Sequence, residues 1–221
     1  DGVVGGSQKA FMIPTGLSFV AFSQRAWKKT PHANSPRFYF DIREEKKANE
    51  RGETNFSSAV PLVRALDAVL TTTEAAGGFT AIHKRISALS RATRTAIKTL
   101  GLKTLTAKGS ISSPTLTAIL SPDGVDGAKW RSLLELKYGL VLMGGQDQLK
   151  GKIIRIGHMG YISDRDLLYA IKVIAESLNE LKPGSIASEK ITDALKKTER
   201  ILAQAQMLWP QGDDALALEQ V

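Results

Sequence analysis

The chain has 221 residues, a hydrophobic content of 43% and a formal net charge of +8, which is typical of a folded globular protein with one sizeable domain or two small ones. It contains no cysteine, which excludes disulfides, thiolate-bound zinc and iron–sulfur clusters, and its three histidines are scattered at positions 32, 83 and 158. The longest apolar run, near residues 139–145, is far shorter than the ~20 residues of a membrane helix, and no targeting segment opens the chain, so we expect a cytoplasmic protein.

The first part of the chain alternates strand and helix patterns. Residues 1–10, with the sequence DGVVGGSQKA, start abruptly within a predicted strand, and we expect the chain to be a fragment. Residue type then predicts strands at 17–22 and 37–42, and Ser23 is the predicted cap of a helix at 24–29. After a polar stretch at 44–54, helical periodicity predicts an amphipathic helix at 57–76. Gly77 and Gly78 end that helix and are the best candidate hinge.

The second part predicts a small mixed α/β domain followed by a terminal helix. Its clearest element is a helix near residues 82–100, with apolar residues on one face, a basic stripe of Lys84, Arg91 and Lys98 on another, and Gly101 at its end. The remaining predicted elements are strands at 116–120 and 153–156, helices at 128–138 and 164–181, and an amphipathic helix at 188–208 before a polar terminus.

Lys9, in the sequence GGSQK, is the first candidate catalytic residue. Small residues there permit close backbone approach, and the lysine lies between Ser7 and the apolar run at 10–13. We expect a partly desolvated amine that is able to form a Schiff base. The alternative is an ordinary solvated lysine beside a turn.

Arg155 is the second candidate. It lies in an apolar run of isoleucines and is followed by Gly157, so its guanidinium is predicted to stand on a strand with little bulk nearby. A planar guanidinium in that position can bind a carboxylate in bidentate fashion. The alternatives are a solvent-facing arginine or one paired with a protein carboxylate. His158, in the same segment, is interpreted as a structural residue.

Two further segments have both a functional and a structural interpretation. Thr54 to Ser57 precede a predicted helix beginning near Ser57, and a helix N-terminus can bind a phosphate, although N-capping explains the same residues. Gly144 and Gly145, in LMGGQ, are interpreted as a turn that requires positive φ and are assigned no chemistry.

Four segments, in order, resemble the class V pyridoxal-phosphate (PLP) aminotransferases of the serine/alanine–glyoxylate type. They are GSQKA with the following PTGLSFVAFS, FYFDI, TNFSSAVPLVRAL and KIIRIGHMGY. The resemblance covers residues 1–182 and implies an α/β protein of PLP-transferase fold type I. Residues 1–78 would then be the C-terminal remainder of the large PLP-binding domain, residues 79–183 the small C-terminal α/β domain, and residues 184–221 an amphipathic helix and tail.

The resemblance also implies roles for individual residues. Lys9 would be the Schiff-base lysine and proton shuttle, and Arg155 would bind the substrate α-carboxylate. Ser7, Gln8, Thr54 and Ser57 would contact the cofactor, with Ser57 at the position of a threonine that reaches the phosphate of the neighbouring subunit's cofactor. No metal site is predicted.

The same resemblance implies substrates and partners. The substrates would be a small amino acid of the serine/alanine type and a 2-oxo acid of the glyoxylate/pyruvate type, and the family members are homodimers. The family's pyridine-nitrogen carboxylate, ring-stacking aromatic residue and much of its phosphate cup precede the lysine and are not in this chain. We therefore expect the chain alone to bind PLP weakly, to be inactive, and to associate with a second copy or with a missing N-terminal half.

Two other functions, from different classes of protein, are alternatives to an aminotransferase. Some relatives in the family carry the name of a small subunit of soluble hydrogenase, and without cysteine this chain would be at most an accessory subunit with an aminotransferase fold. Binding of nucleic acid by the basic stripe is the other reading, but the stripe lacks interleaved aromatic residues, so we predict no nucleic-acid partner.

Overall fold

The computed structural model describes residues 1–107 and 109–205. The chain divides into two compact units, Asp1–Thr72 and Thr73–Val221, and each is described by itself. The assignment of residues 1–78, 79–183 and 184–221 to separate domains of an aminotransferase stays a prediction.

The first unit begins with a two-stranded antiparallel hairpin. Strand β1 (Gly2–Gly6) pairs with β2 (Ser18–Phe22), with Val4 opposite Val20. Helix α1 (Gln24–Lys29) follows, and its first turn is capped by the Ser23 hydroxyl, which accepts a hydrogen bond from Ala26 N. The predicted strand at 17–22 and the capped helix at 24–29 are thus confirmed.

The predicted strand at 37–42 is wrong. Residues 38–40 form a bend with exposed aromatic side chains, and helix α2 (Ile42–Asn49) starts directly after Asp41. The Asp41 carboxylate accepts a hydrogen bond from Arg43 N at 3.1 Å, and its oxygens also pair with the side chains of Arg37 and Arg43. The Arg43 guanidinium holds the pKa of Asp41 well below its usual range. A charged N-cap at this point overrides the strand preference of the aromatic run.

The second unit is built on a long helix and a small sheet. Helix α3 (Val60–Ala75), which belongs mostly to the first unit, leads to α4 (Gly78–Thr99) through Gly77, which adopts a φ of 99° that suits glycine. The other elements, in chain order, are β3 (Leu116–Leu120), α5 (Gly127–Tyr138), β4 (Met143–Gly144), β5 (Ile153–Gly157), α6 (Asp164–Leu181) and α7 (Ser188–Leu202). The predicted strands at 116–120 and 153–156 and the predicted helices at 128–138 and 164–181 are confirmed.

The sheet has the antiparallel order β3-β5-β4, and one of its faces is part of the main core. Ile119 and Ile154 are opposite each other in the register, are fully buried, and lie in one apolar cluster with residues of α4, α5 and α6. Side chains alternate along a strand, so Arg155 stands on the opposite face from Ile154. The sheet therefore presents Arg155 on the face that lies away from this core.

Two polar contacts made by buried side chains, Arg85 and Trp130, fix the helices of the second unit. Arg85, on α4, pairs with Asp164 at 2.6 Å and donates to the Ile162 carbonyl at 2.9 Å. The Trp130 indole donates from Nε1 to the Ser177 hydroxyl at 2.8 Å, which joins α5 to α6. Buried polar groups need such partners, so both contacts restrict how these helices pack.

The predicted terminal helix at 188–208 is observed as α7, followed by a 3₁₀ turn at Ala203–Ala205. Leu208 and the predicted polar terminus lie outside the described residues.

Candidate active site

Lys9 lies on a tight turn between β1 and β2 that is held by Ser7. The Ser7 hydroxyl is buried, donates to the Pro14 carbonyl at 2.7 Å and accepts from Leu17 N at 3.2 Å. The Lys9 carbonyl accepts a hydrogen bond from Met12 N at 3.0 Å. These bonds pin both ends of the segment that carries Lys9.

The Lys9 side chain itself is exposed, and within residues 1–107 and 109–205 its amine has no hydrogen bond or ion pair. The expected partial desolvation is therefore wrong for this chain, because the pinned turn projects outward instead of packing under apolar side chains. Gln8 is also exposed, and its amide lies over Gly6, where an added Cβ would be 2.8 Å from the Gln8 Oε1.

Sequence reasoning missed Gly16, at the far end of this loop. It has a φ of 138°, and a Cβ placed there would lie 2.6 Å from the Leu62 side chain. The absence of a side chain at Gly16 thus allows the Lys9 loop to lie against the first turn of α3. Only the tertiary contact with Leu62 reveals this requirement.

Thr54 and Ser57 lie in the loop before α3, both exposed. The Thr54 hydroxyl bonds to the Phe56 carbonyl and lies 2.6 Å from the Ser58 hydroxyl. The helix does not begin near Ser57 as predicted but at Val60, because Ala59 provides the first carbonyl acceptor and Pro61 suits the first helical turn. Among the described residues, no hydrogen bond or ion pair joins Lys9 to Thr54 or Ser57.

Arg155 stands in the middle of β5, between β3 and β4, and is partly buried. Its Nε–H donates to the Gly144 carbonyl at 2.8 Å. No described residue bonds to its two terminal nitrogens, so the guanidinium is not committed to a protein carboxylate. The two terminal nitrogens are therefore available to donate hydrogen bonds to an anionic group.

The interpretation of Gly144 and Gly145 as a turn that needs positive φ is wrong, since neither residue has a positive φ. Gly145 is required for space: a Cβ there would lie 2.1 Å from the Leu149 carbonyl oxygen. The contact is between backbone atoms four residues apart, and composition gives no sign of it.

His158 is fully buried, and its Nε2 lies 2.9 Å from the Thr117 hydroxyl. Burial lowers the pKa of His158 to about 4, although a backbone contact with Pro114 partly offsets the effect. A neutral, enclosed imidazole agrees with the structural role expected for this residue. Lys84, Arg91 and Lys98 are exposed along α4, as the prediction of a solvated helix face requires.

The predicted site residues fall in two places. Ser7, Gln8, Lys9, Thr54 and Ser57 belong to the first unit, and Arg155 belongs to the second. Within the part of the chain that the structure describes, no group of three or more His, Asp or Glu residues is arranged to hold a metal ion. No helix in that part is both long enough and apolar enough to cross a membrane.

No family model matches the sequence. The chain is 42% identical, over 181 residues, to a protein of Synechococcus sp. named "Soluble hydrogenase, small subunit", covering 82% of this chain and 46% of that protein. It is 37% identical, over 194 residues, to the serine–glyoxylate aminotransferase of Methylorubrum extorquens, covering 84% of this chain and 48% of that enzyme. The chain spans about half the length of the curated relatives that it matches.

Solved structures give a similar result. The pyridoxamine–pyruvate aminotransferase of Mesorhizobium loti matches 93% of this chain with a TM-score of 0.82 and 28% identity, and the chain covers 52% of that structure. The ureidoglycine–glyoxylate aminotransferase of Bacillus subtilis matches 90% of this chain with a TM-score of 0.78 and 25% identity, again with 52% of that structure covered.

Proposed function

We propose that this chain, which is homologous with class V aminotransferases of the serine/alanine–glyoxylate type over about half of their length, provides the lysine and the carboxylate-binding arginine of a PLP-dependent transaminase. The relatives confirm the resemblance identified in the sequence, and the solved structures confirm the PLP-transferase fold class. The cofactor, the substrates and the residue roles are our proposal.

The observation that carries the proposal is the state of Lys9. Its amine is exposed and unpartnered among the described residues, while Ser7 and Met12 hold the backbone on either side of it. An accessible amine on a fixed turn suits covalent attachment of an aldehyde.

The residues present fit PLP as far as they extend. Lys9 would hold the aldehyde carbon, and the exposed hydroxyls of Thr54 and Ser57 would contact a cofactor phosphate, in the case of Ser57 that of the neighbouring subunit. When bound, PLP supplies an electron sink for the charge that develops at the substrate α-carbon.

The chain's own residues would then transfer the proton and position the substrate. The Lys9 amine takes the α-proton and returns it, as a general base and then a general acid. The terminal nitrogens of Arg155 bind the substrate carboxylate and so present the α-proton to the lysine, a positioning role in which small displacements are costly in rate.

We propose a small amino acid of the serine/alanine type as donor and a small 2-oxo acid such as glyoxylate or pyruvate as acceptor. Two of the aminotransferases described above carry glyoxylate in their names. We also propose that the active assembly is a homodimer or an association with an N-terminal half, and that the 221 residues alone bind PLP weakly and catalyse negligible transamination.

The test is reduction of the chain with borohydride in the presence of graded PLP, followed by peptide mass spectrometry. We expect the absorption band of a PLP–lysine imine before reduction, its loss on reduction, and labelling of Lys9 at PLP concentrations that leave the exposed Lys28 and Lys29 unmodified. Lys9→Ala is the matched control and should remove the band. Equal labelling of all three lysines would refute a specific role for Lys9.

A second candidate function is that of an accessory subunit of a soluble hydrogenase, with no metal chemistry of its own. It is favoured by the names of two relatives, which are 42% and 40% identical to this chain. Elemental analysis of the purified chain is the test. Stoichiometric nickel or iron would overturn the statement that the chain has no metal chemistry.

A further inference from the structure

The anchoring of Arg155 on its neighbouring strand extends the proposed function and rests on it. A guanidinium binds a carboxylate through two parallel hydrogen bonds only if its plane is fixed. Arg155 has one anchor that sets this plane, the 2.8 Å hydrogen bond from its Nε–H to the Gly144 carbonyl. The two terminal nitrogens have no partner among the described residues.

The anchoring carbonyl is controlled by Gly145. The C=O of Gly144 and the N–H of Gly145 lie in one planar peptide group, so a shift of Gly145 rotates the carbonyl that Arg155 uses. Gly145 in turn is packed against Leu149, and a Cβ on Gly145 would lie 2.1 Å from the Leu149 carbonyl oxygen and 2.5 Å from its carbonyl carbon.

Two backbone hydrogen bonds hold Leu149 in place. Its carbonyl accepts a hydrogen bond from Lys152 N at 3.0 Å, directly before β5 begins, and its own N–H donates to the Gln146 carbonyl at 2.9 Å. The turn also contains Asp147 at a φ of 46°, a conformation that aspartate tolerates better than most residues. A side chain at position 145 must therefore displace either the Gly144–Gly145 peptide or the hydrogen-bonded turn on which its position depends.

We propose that Gly145 is a positioning residue for carboxylate recognition. Its missing side chain lets the β4–β5 turn close on itself, and the closed turn holds the Gly144 carbonyl where it orients the Arg155 guanidinium. The expected ligand is the α-carboxylate of a small amino acid or 2-oxo acid.

The experiment is nuclear magnetic resonance of the ¹⁵N-labelled 221-residue chain, with the Arg155 Nε–H assigned by its loss in Arg155→Lys. In the wild-type chain we expect this proton to exchange with solvent at least about tenfold more slowly than that of the exposed Arg64, because a hydrogen bond protects it. Gly145→Ala should remove the protection. It should also weaken the binding of added glyoxylate, followed by the Arg155 side-chain resonances, by about tenfold.

Leu202→Ala is the control for a general loss of stability. It removes buried apolar contacts of α7 in the same unit and should leave the Arg155 Nε–H exchange and the glyoxylate dissociation constant within about twofold of wild type. The proposal is overturned if the wild-type Arg155 proton exchanges as fast as that of Arg64, a result that does not depend on whether Gly145→Ala folds. It is also overturned if folded Gly145→Ala keeps both the protection and the affinity.

Failure of the proposed function would look different. If the Arg155 Nε–H is protected but glyoxylate shifts none of its side-chain resonances, Arg155 does not bind carboxylates and the positioning role falls with it, while the lysine labelling test decides the role of Lys9 separately.

Discussion

Acidification should destabilise the second unit through His158. The imidazole is fully buried, and burial lowers its pKa to about 4 from an ordinary value of 6.5. In the unfolded chain the same histidine takes up a proton near pH 6.5. Between pH 6.5 and 4 the unfolded state therefore binds more protons than the folded state, so stability falls as the pH falls through this range and is fully present above it.

The loss of stability depends on the interval between the pKa of His158 in the folded and in the unfolded chain. Within this interval, each pH unit lowers the unfolding free energy by at most about 1.4 kcal/mol. From pH 6.5 to 5, where most carboxylates stay ionised, the unfolding free energy should fall by about 1 to 2 kcal/mol. The lower end allows for water that enters around an imidazolium once it forms.

The assay is urea unfolding followed by the fluorescence of Trp130, which is fully buried. Phenylalanine at positions 27 and 209 removes the signals of the other two tryptophans. His158→Asn in the same background is the control, and its slope against pH in this window should be nearly flat, whatever its absolute stability. Equal slopes in the two proteins would refute the reasoning, because the destabilisation would then come from other groups.

Two further predictions concern the polar contacts that fix the helices. Arg85→Met should lower the unfolding free energy by about 1 to 2 kcal/mol, because it leaves the Ile162 carbonyl without its donor and removes the ion pair with the partly exposed Asp164. A double-mutant cycle with Asp164→Asn in urea should assign at most about 1 kcal/mol of that loss to the ion pair, and a larger coupling would contradict this. Ser177→Ala should cost about 1 to 3 kcal/mol in thermal unfolding, because the buried Trp130 N–H loses its acceptor, whereas a loss within error would mean that water replaces the hydroxyl.

Elements with local signals could be predicted from the sequence. The cap at Ser23 and the mostly apolar run at 116–120 each specify an element within a few residues, and the structure has both where they were predicted. Helix α6 likewise begins directly after Ser163, whose hydroxyl and the Asp166 side chain form a capping box. These signals act over one turn of chain, so no knowledge of the tertiary fold is needed to interpret them.

The two errors in secondary structure, the strand at 37–42 and the start of α3, occurred where a competing local signal was stronger than the one that was used. The aromatic run at 38–40 has strand propensity, but Asp41 with Arg37 and Arg43 starts a helix at that point. In the same way, Pro61 shifts the start of α3 beyond Ser57. In both places a residue that fixes the backbone directly outweighed a statistical preference.

The candidate site shows what a sequence cannot specify. Lys9 and Arg155 could be identified from their sequence segments. The contacts that hold their loops in place could not, because no sequence pattern links the residues that make them: Ser7 with Pro14, Gly16 with Leu62, and Gly145 with Leu149. Each of these is a close approach of backbone or a buried hydroxyl. Such approaches depend on the folded path of the loop, and a resemblance supplies the residue but not its support.

Lys9 and Arg155 belong to different compact units. Lys9 is held by the bonds of its own loop in the first unit, and Arg155 by its sheet in the second. Attachment of an aldehyde to Lys9 and binding of a carboxylate by Arg155 are therefore separable properties, each with its own variant and its own spectroscopic signal. If Gly145→Ala weakens glyoxylate binding and leaves PLP labelling of Lys9 unchanged, the two functions are built independently, as the contacts require. If it alters both, the units communicate, and the support of Lys9 extends beyond the bonds of its own turn.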